Sequence, residues 1–225
     1  TETYIPIDQV KACKVDHIDW TGREVYIGVD LAMTNDNCSV AMSAEEDGEI
    51  LSHVMTFIPE GRIDEKSEFE KFDYRAAIAA GTCIACGDMT VDYGVIEDYV
   101  SGMEESMGVT IKSIGYDRYN ALSSAQKWDK NYTTVEIRQH SDTLHPPTKL
   151  LAEMVANQKW HYEGNRLMET NFENAKCTYD TNMNRYVNKK KSNGKVDGVV
   201  SIINSVYLLQ QDILFDDSSF TVQVC

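Results

Sequence analysis

Asp30, Asp117 and Asp197 are the residues whose types and placement promise chemistry, because each borders an apolar element. "VYIGV" runs straight into Asp30, "VTIKSIGY" runs into Asp117, and Asp197 opens the long apolar stretch "VDGVVSIINSVYLLQ". A carboxylate at the edge of a core is costly unless it is paired, hydrogen-bonded or bound to a metal. Three of them, arriving from two strand ends and a helix start, could bind two Mg²⁺ or Mn²⁺ ions. Each has an ordinary reading as well. An aspartate at a strand end commonly makes a turn, and Asp197 suits the positive end of a helix dipole.

The remaining candidates are fewer. "NKKKSNGK" places Lys189, Lys190, Lys191 and Lys195 just before Asp197, as a solvated loop or as an arm that contacts phosphates beside the site. Cys83 and Cys86 form a C-x-x-C with no second close pair, so "GTCIACGD" reads as a short buried strand whose cysteines act as small hydrophobes. His161 stands alone in "KWHYEGN" and reads as a packing residue.

These side chains need elements to position them. "REVYIGVDLA" is a strand, and "NCSVAMSAEEDGEILSHVMTFI" is two more joined at Asp47-Gly48. Alternation puts Tyr26, Gly28 and Asp30 on one face, and Gly28 leaves space above the sheet beside Asp30. "KSEFEKFDYRAAIAA" has the spacing of one helix closed by Gly81, and "TCIAC" is a strand. "VDYGVIEDYVSGMEESMG" is a helix opened by Asp92 and stopped by Gly108. The strand ending on Asp117 follows, then a helix in "NALSSAQKWDK", a strand in "TTVEIRQ", and a helix "PPTKLLAEMVANQ" that begins at its prolines. "CTYDTNMNRYVNKKKSNGK" is a polar hairpin or mobile loop before the final helix. A three-stranded antiparallel meander followed by alternating strands and helices implies an α/β fold with a mixed sheet flanked by helices.

A chain of 225 residues is long enough for a sizeable core, and no apolar run is long enough to span a bilayer. The start, "TETYIPIDQV", has no secretory signal, and the cysteine usage suits a reducing cytoplasm. A net charge of −15 argues against autonomous tight nucleic-acid binding, which relies on Lys and Arg, but suits carboxylates that hold divalent ions. Residues 1–22 are expected as a lead-in segment, 23–215 as the functional domain, and 216–225 as a C-terminal tail.

The order of the three aspartates (meander, later strand, last helix) resembles that of ribonuclease H-like nucleases. The blocks "YIGVDLAMTND", "GDMTVDYGVIEDYV", "IKSIGYDRYNA", "LHPPTKLLAEMVANQKWHYEGN" and "GKVDGVVSIINSVYLL" are together similar to the nuclease domain of tailed-phage terminase large subunits. The resemblance runs in order from about residue 24 to about residue 210. It implies a ribonuclease H-like fold and a metal-dependent endonuclease that cuts concatemeric duplex DNA during packaging. Metal binding and catalysis would fall to Asp30, Asp117 and Asp197, with Asp36 as an outer partner of the metal site. Related nucleases often use Glu at the second position, and aspartate is a shorter arm.

The same resemblance implies two divalent cations, Mg²⁺ or Mn²⁺. Held about 3.5–4 Å apart, they would activate water and stabilise the departing 3′ oxygen. It further implies double-stranded DNA, an upstream ATPase domain, the small terminase subunit and the portal protein as partners, no membrane, and the cytoplasm of an infected bacterial host as location. No G-x-x-x-x-G-K-[ST] occurs, so the ATPase motor would precede this chain. The alternatives are an actin- or chaperone-like ATP-binding domain of related fold, a Holliday junction resolvase, and a catalytically inactive docking module.

Overall fold

The computed structural model describes residues 1–34 and 36–224, with side chains through Ile213. The chain begins with β1 (Glu2–Thr3), α1 (Ile7–Lys11) and β2 (Lys14–Val15), and then enters the meander β3 (Glu24–Asp30), β4 (Cys38–Glu46) and β5 (Glu49–Pro59). Helices α2 (Ile63–Glu70) and α3 (Tyr74–Ala79) lead to β6 (Cys83–Cys86), and α4 (Tyr93–Ser101) and α5 (Met103–Met107) lead to β7 (Thr110–Tyr116). Next come α6 (Arg118–Trp128), β8 (Thr134–Glu136), α7 (Ser141–Ala156), β9 (Trp160–Glu163) and α8 (Arg166–Asn174). The hairpin β10 (Lys176–Tyr179) and β11 (Arg185–Val187) precedes α9 (Asp197–Val224).

Among the described residues the main sheet has the order β2-β9-β5-β4-β3-β7-β8, with β6 paired to β5. Strands β3, β4 and β5 are antiparallel, whereas β7 runs parallel to β3, and β6 and β9 run parallel to β5. This is the expected mixed α/β sheet flanked by helices. Alternation on β3 decides its two faces. Val25, Ile27 and Val29 pack with Ile96, Val100 and Trp128, while Tyr26 and Gly28 face α9.

The space expected above Gly28 is filled. A Cβ there would stand 2.2 Å from the Ser201 carbonyl oxygen and 2.5 Å from the Ser205 nitrogen, so the backbone of α9 lies directly on β3. Gly115, the register partner of Gly28 on β7, is similarly covered by Ile137 and Leu208. Hydrogen bonds fasten the contact. Asn204 Nδ2 donates to the Val29 carbonyl at 3.2 Å, and the Ser43 and Ser205 hydroxyls meet at 2.7 Å.

Three helices depart from the expected pattern. The stretch read as one helix through Phe69 and Phe72 breaks at Lys71, which takes a left-handed conformation (φ 55°). Asp73 then starts α3 by accepting a hydrogen bond from the Ala76 nitrogen at 3.1 Å, and Phe69 is left 86% exposed. The helix opened by Asp92 divides at Gly102, although Gly108 ends its second half in a left-handed conformation as expected. Helix α7 begins at Ser141, so Pro146 and Pro147 lie within it rather than at its start. "TCIAC" is the short strand β6, with both cysteines buried.

Residues 1–22, expected as a lead-in, contribute β1, α1 and β2 and bury Tyr4, Ile5, Val10, Cys13, Ile18 and Trp20. The tail expected over 216–225 lies outside the described side chains. No helix among the described residues is long and apolar enough to cross a membrane.

The contact at Gly28 predicts a large effect from one methyl group. Because backbone atoms cannot rotate aside, Gly28→Ala should cost about 3 kcal/mol, at the upper end for overpacking. Urea denaturation checks this, and a loss under about 0.5 kcal/mol would mean that α9 lifts freely from β3.

Candidate active site

The close approach of α9 to β3 decides which carboxylates meet. Asp197, Ser201 and Ser205 recur at four-residue intervals, a rise of about 6 Å each along α9. Gly28 and Asp30 are two residues apart on β3, roughly 6.7 Å. With Ser201 seated over Gly28, one step back along the helix brings Asp197 to the end of the strand at Asp30. Ser39, the register partner of Asp30, fixes this by donating its hydroxyl to the Asp197 carbonyl at 2.7 Å. Asn171 of α8 accepts from the Gly198 nitrogen at 2.8 Å and so caps the first turn of α9.

Asp30, Asp36 and Asp197 line one cavity of about 820 Å³, together with Glu70, Tyr74, Asn171, Lys189 and Lys195. Asp117 comes to the same sheet edge by another route. Gly28 pairs with Gly115 across the parallel strands, so Asp30 and Asp117 stand at corresponding strand ends. The Asp117 carboxylate caps α6, accepting from the Tyr119 nitrogen at 3.3 Å, and does not line the cavity. Its charge nevertheless reaches Asp30 and Lys189.

The lysine run divides in two. Lys189 turns inward, and its ammonium lies 2.9 and 3.1 Å from the two carboxylate oxygens of Asp30. Lys195 is paired with Asp36. Lys190 and Lys191 are exposed, and their backbone N–H groups donate to Asn188 Oδ1.

Desolvation raises the Asp30 carboxyl above its ordinary range, opposed by the attraction of Lys189. Asp197 is pushed up to about 7, chiefly by desolvation and then by the neighbouring charge of Asp30, with Lys189 pulling the other way. Among the described residues no three Asp, Glu, His or Cys side chains gather into a ready cation cage. Asp30 is held by Lys189, and Asp117 is turned to its helix.

The donor set nonetheless fits a divalent cation. Two oxygen-bearing side chains converge where like charges repel, and a positive ammonium is seated against one of them.

A second network at the cavity wall carries no sequence signal that distinguishes it. Tyr74 donates its hydroxyl to Glu70 at 2.7 Å and accepts from Asn37 Nδ2 at 2.9 Å, while Lys66 pairs with Glu70 at 2.8 Å. Burial, followed by Glu70, drives the Tyr74 phenol strongly upward, so it serves as a fixed hydrogen-bond donor. His161 pairs with Glu49 at 2.9 Å on β9 and is not among the residues lining the cavity.

Comparison with known proteins adds independent findings. Residues 1–212 match the family model described as "Terminase large subunit, endonuclease domain". The large subunit of the terminase of Enterobacteria phage HK97 is 23% identical over 210 residues, which cover 89% of this chain and 41% of that protein. The chain thus spans about two fifths of that relative's length. The crystal structure of the HK97 large terminase superposes with a TM-score of 0.84 at 20% identity, over 92% of this chain and 43% of that one. The large terminase nuclease of thermophilic phage G20c with bound magnesium superposes at 0.52 and 12% identity, over 82% and 80% of the two chains.

The raised Asp197 carboxyl predicts a pH dependence in chelator. The native state holds this proton up to about 7, whereas the unfolded chain releases it near 3.8. Stability from this group therefore falls as pH rises between those values. Asp197→Asn removes that slope. Its melting temperature relative to the parent should climb across the window and level off above it. A constant offset at every pH would contradict this.

Proposed function

This chain belongs to the terminase large subunit endonuclease domain family, and on that premise we propose that it is a divalent-metal-dependent endonuclease acting on concatemeric duplex DNA. The observation that carries the reading is the meeting of Asp30 and Asp197 at one cavity, with a lysine ammonium set against Asp30. Asp30 and Asp197 would hold the cations together with Asp117, which exchanges its helix-cap hydrogen bond for that role. Bound there, two Mg²⁺ or Mn²⁺ ions would supply an activated water and stabilisation of the departing 3′ oxygen. The magnesium in the G20c nuclease supports the same choice of cation.

The chain's own residues supply position. Ser39 and Asn171 hold the first turn of α9, and so keep Asp197 beside Asp30. Asp36, paired with Lys195, shapes the cavity rim and is an outer partner of the metal site. Lys190 and Lys191 are exposed on the loop that leads into the cavity, suited to phosphate oxygens. Residues 23–215 are proposed as the nuclease domain, with residues 1–22 packed into the same core. Its partners would be double-stranded DNA, an ATPase domain in the same polypeptide, the small terminase subunit and the portal protein, in the host cytoplasm.

Plasmid nicking in Mn²⁺ tests the reading. Asp30→Asn should lower the rate by orders of magnitude, and excess EDTA should stop the parent enzyme. A folded Asp30→Asn protein that nicks at the parental rate would end the proposal.

The two exposed lysines make a separate expectation. Lys190→Ala with Lys191→Ala should weaken DNA binding and flatten its salt dependence by somewhat under one unit of slope per lost phosphate contact. Binding titrations at several salt concentrations measure it, and an unchanged slope would return both residues to solvent.

A further inference from the structure

Lys189 differs from its neighbours in the lysine run. Its ammonium sits on both oxygens of Asp30, a position that a cation bound to that carboxylate would also need. It also feels the charges of Asp197 and Asp117, so a single positive group faces all three acidic residues. An ammonium and a divalent ion both close to the same carboxylate would repel each other. The two cations therefore exclude one another.

The loop around Lys189 is anchored while its side chain has room. The Asn188 nitrogen donates to the Lys176 carbonyl at 2.8 Å, and Asn188 Oδ1 receives two backbone N–H groups from Lys190 and Lys191. Ser192 donates to the Asn188 carbonyl at 2.7 Å and receives the Lys176 N–H at 3.0 Å. The Lys189 side chain is 55% exposed, and Lys189 borders both the acidic cavity and a second cavity of about 240 Å³ between β11, α7 and α9. A flexible four-carbon stem can thus leave Asp30 without any change in the loop that carries it.

We propose that Lys189 is the resident counterion of Asp30, occupying the place of a divalent cation until that cation displaces it. This rests on the nuclease reading above and adds a regulated quantity to it. Lys189 sets how much divalent ion the site requires, and it protects a buried carboxylate when none is bound.

Calorimetric titration of Mn²⁺ into the DNA-free protein at pH 8 tests the exchange, with Lys189→Met, Lys189→Gln and, as a control, Lys190→Met. Both Lys189 variants should bind Mn²⁺ at least tenfold more tightly than the parent, and should melt at lower temperature in chelator. Lys190→Met should match the parent in both. Parental Mn²⁺ binding with affinities of the Lys189 variants unchanged or weaker would overturn the exchange while leaving the metal site standing. Absence of Mn²⁺ binding in the parent and every variant would remove both readings together. The glutamine variant guards against a folding defect peculiar to methionine, and the chelator melt confirms that each protein is folded.

Discussion

The contact between the backbone of α9 and β3 is the constraint on which the rest of the structure depends. It exists because residue 28 has no side chain: any Cβ would collide with the Ser201 carbonyl and the Ser205 nitrogen. Close approach lets short polar side chains do the fastening. Ser39 reaches the Asp197 carbonyl, Ser43 reaches Ser205, and Asn204 reaches the Val29 carbonyl. Larger residues at these positions would move α9 outward and carry Asp197 away from Asp30. The spacing of the two carboxylates is therefore a property of packing at residues that never touch them.

That geometry creates an electrostatic problem, and the lysine loop answers it. Desolvation raises the carboxyls of both Asp30 and Asp197, and the charge of Asp30 raises Asp197 further. In a chain of net charge −15, positive partners must be supplied locally. The loop after β11 brings Lys189 to Asp30 and Lys195 to Asp36, and leaves Lys190 and Lys191 outward. One basic run thus supplies ion-pair partners inside and leaves two exposed lysines outside. The Asn188 side chain ties down the backbone of the outward pair.

Much of the architecture was legible in the sequence. Alternation over Val25–Leu31, the Asp47-Gly48 turn, the Asp92 cap and the long apolar run after Asp197 each rest on local periodicity or turn chemistry, which neighbouring residues alone can dictate. The errors fall where periodicity continued across a break. Phe69 and Phe72 keep helical spacing, yet Lys71 turns left-handed and Asp73 starts a new helix, because Tyr74 is drawn into a buried network with Asn37 and Glu70. Pro146 and Pro147 carry the local signal of a helix start, although the helix begins five residues before Pro146, at Ser141.

Sequence alone puts three aspartates at the borders of apolar elements, in the order meander, strand, last helix, an order that resembles that of ribonuclease H-like nucleases. Tertiary structure alone decided that Gly28 receives a helix rather than open space, that Asn171 caps that helix, and that Lys189 turns inward to Asp30. The physical reason is separation along the chain. Gly28 and Ser201, Asn171 and Gly198, and Asp30 and Lys189 become neighbours only when the sheet and α9 close on one another. No local pattern records a contact made by folding distant segments together.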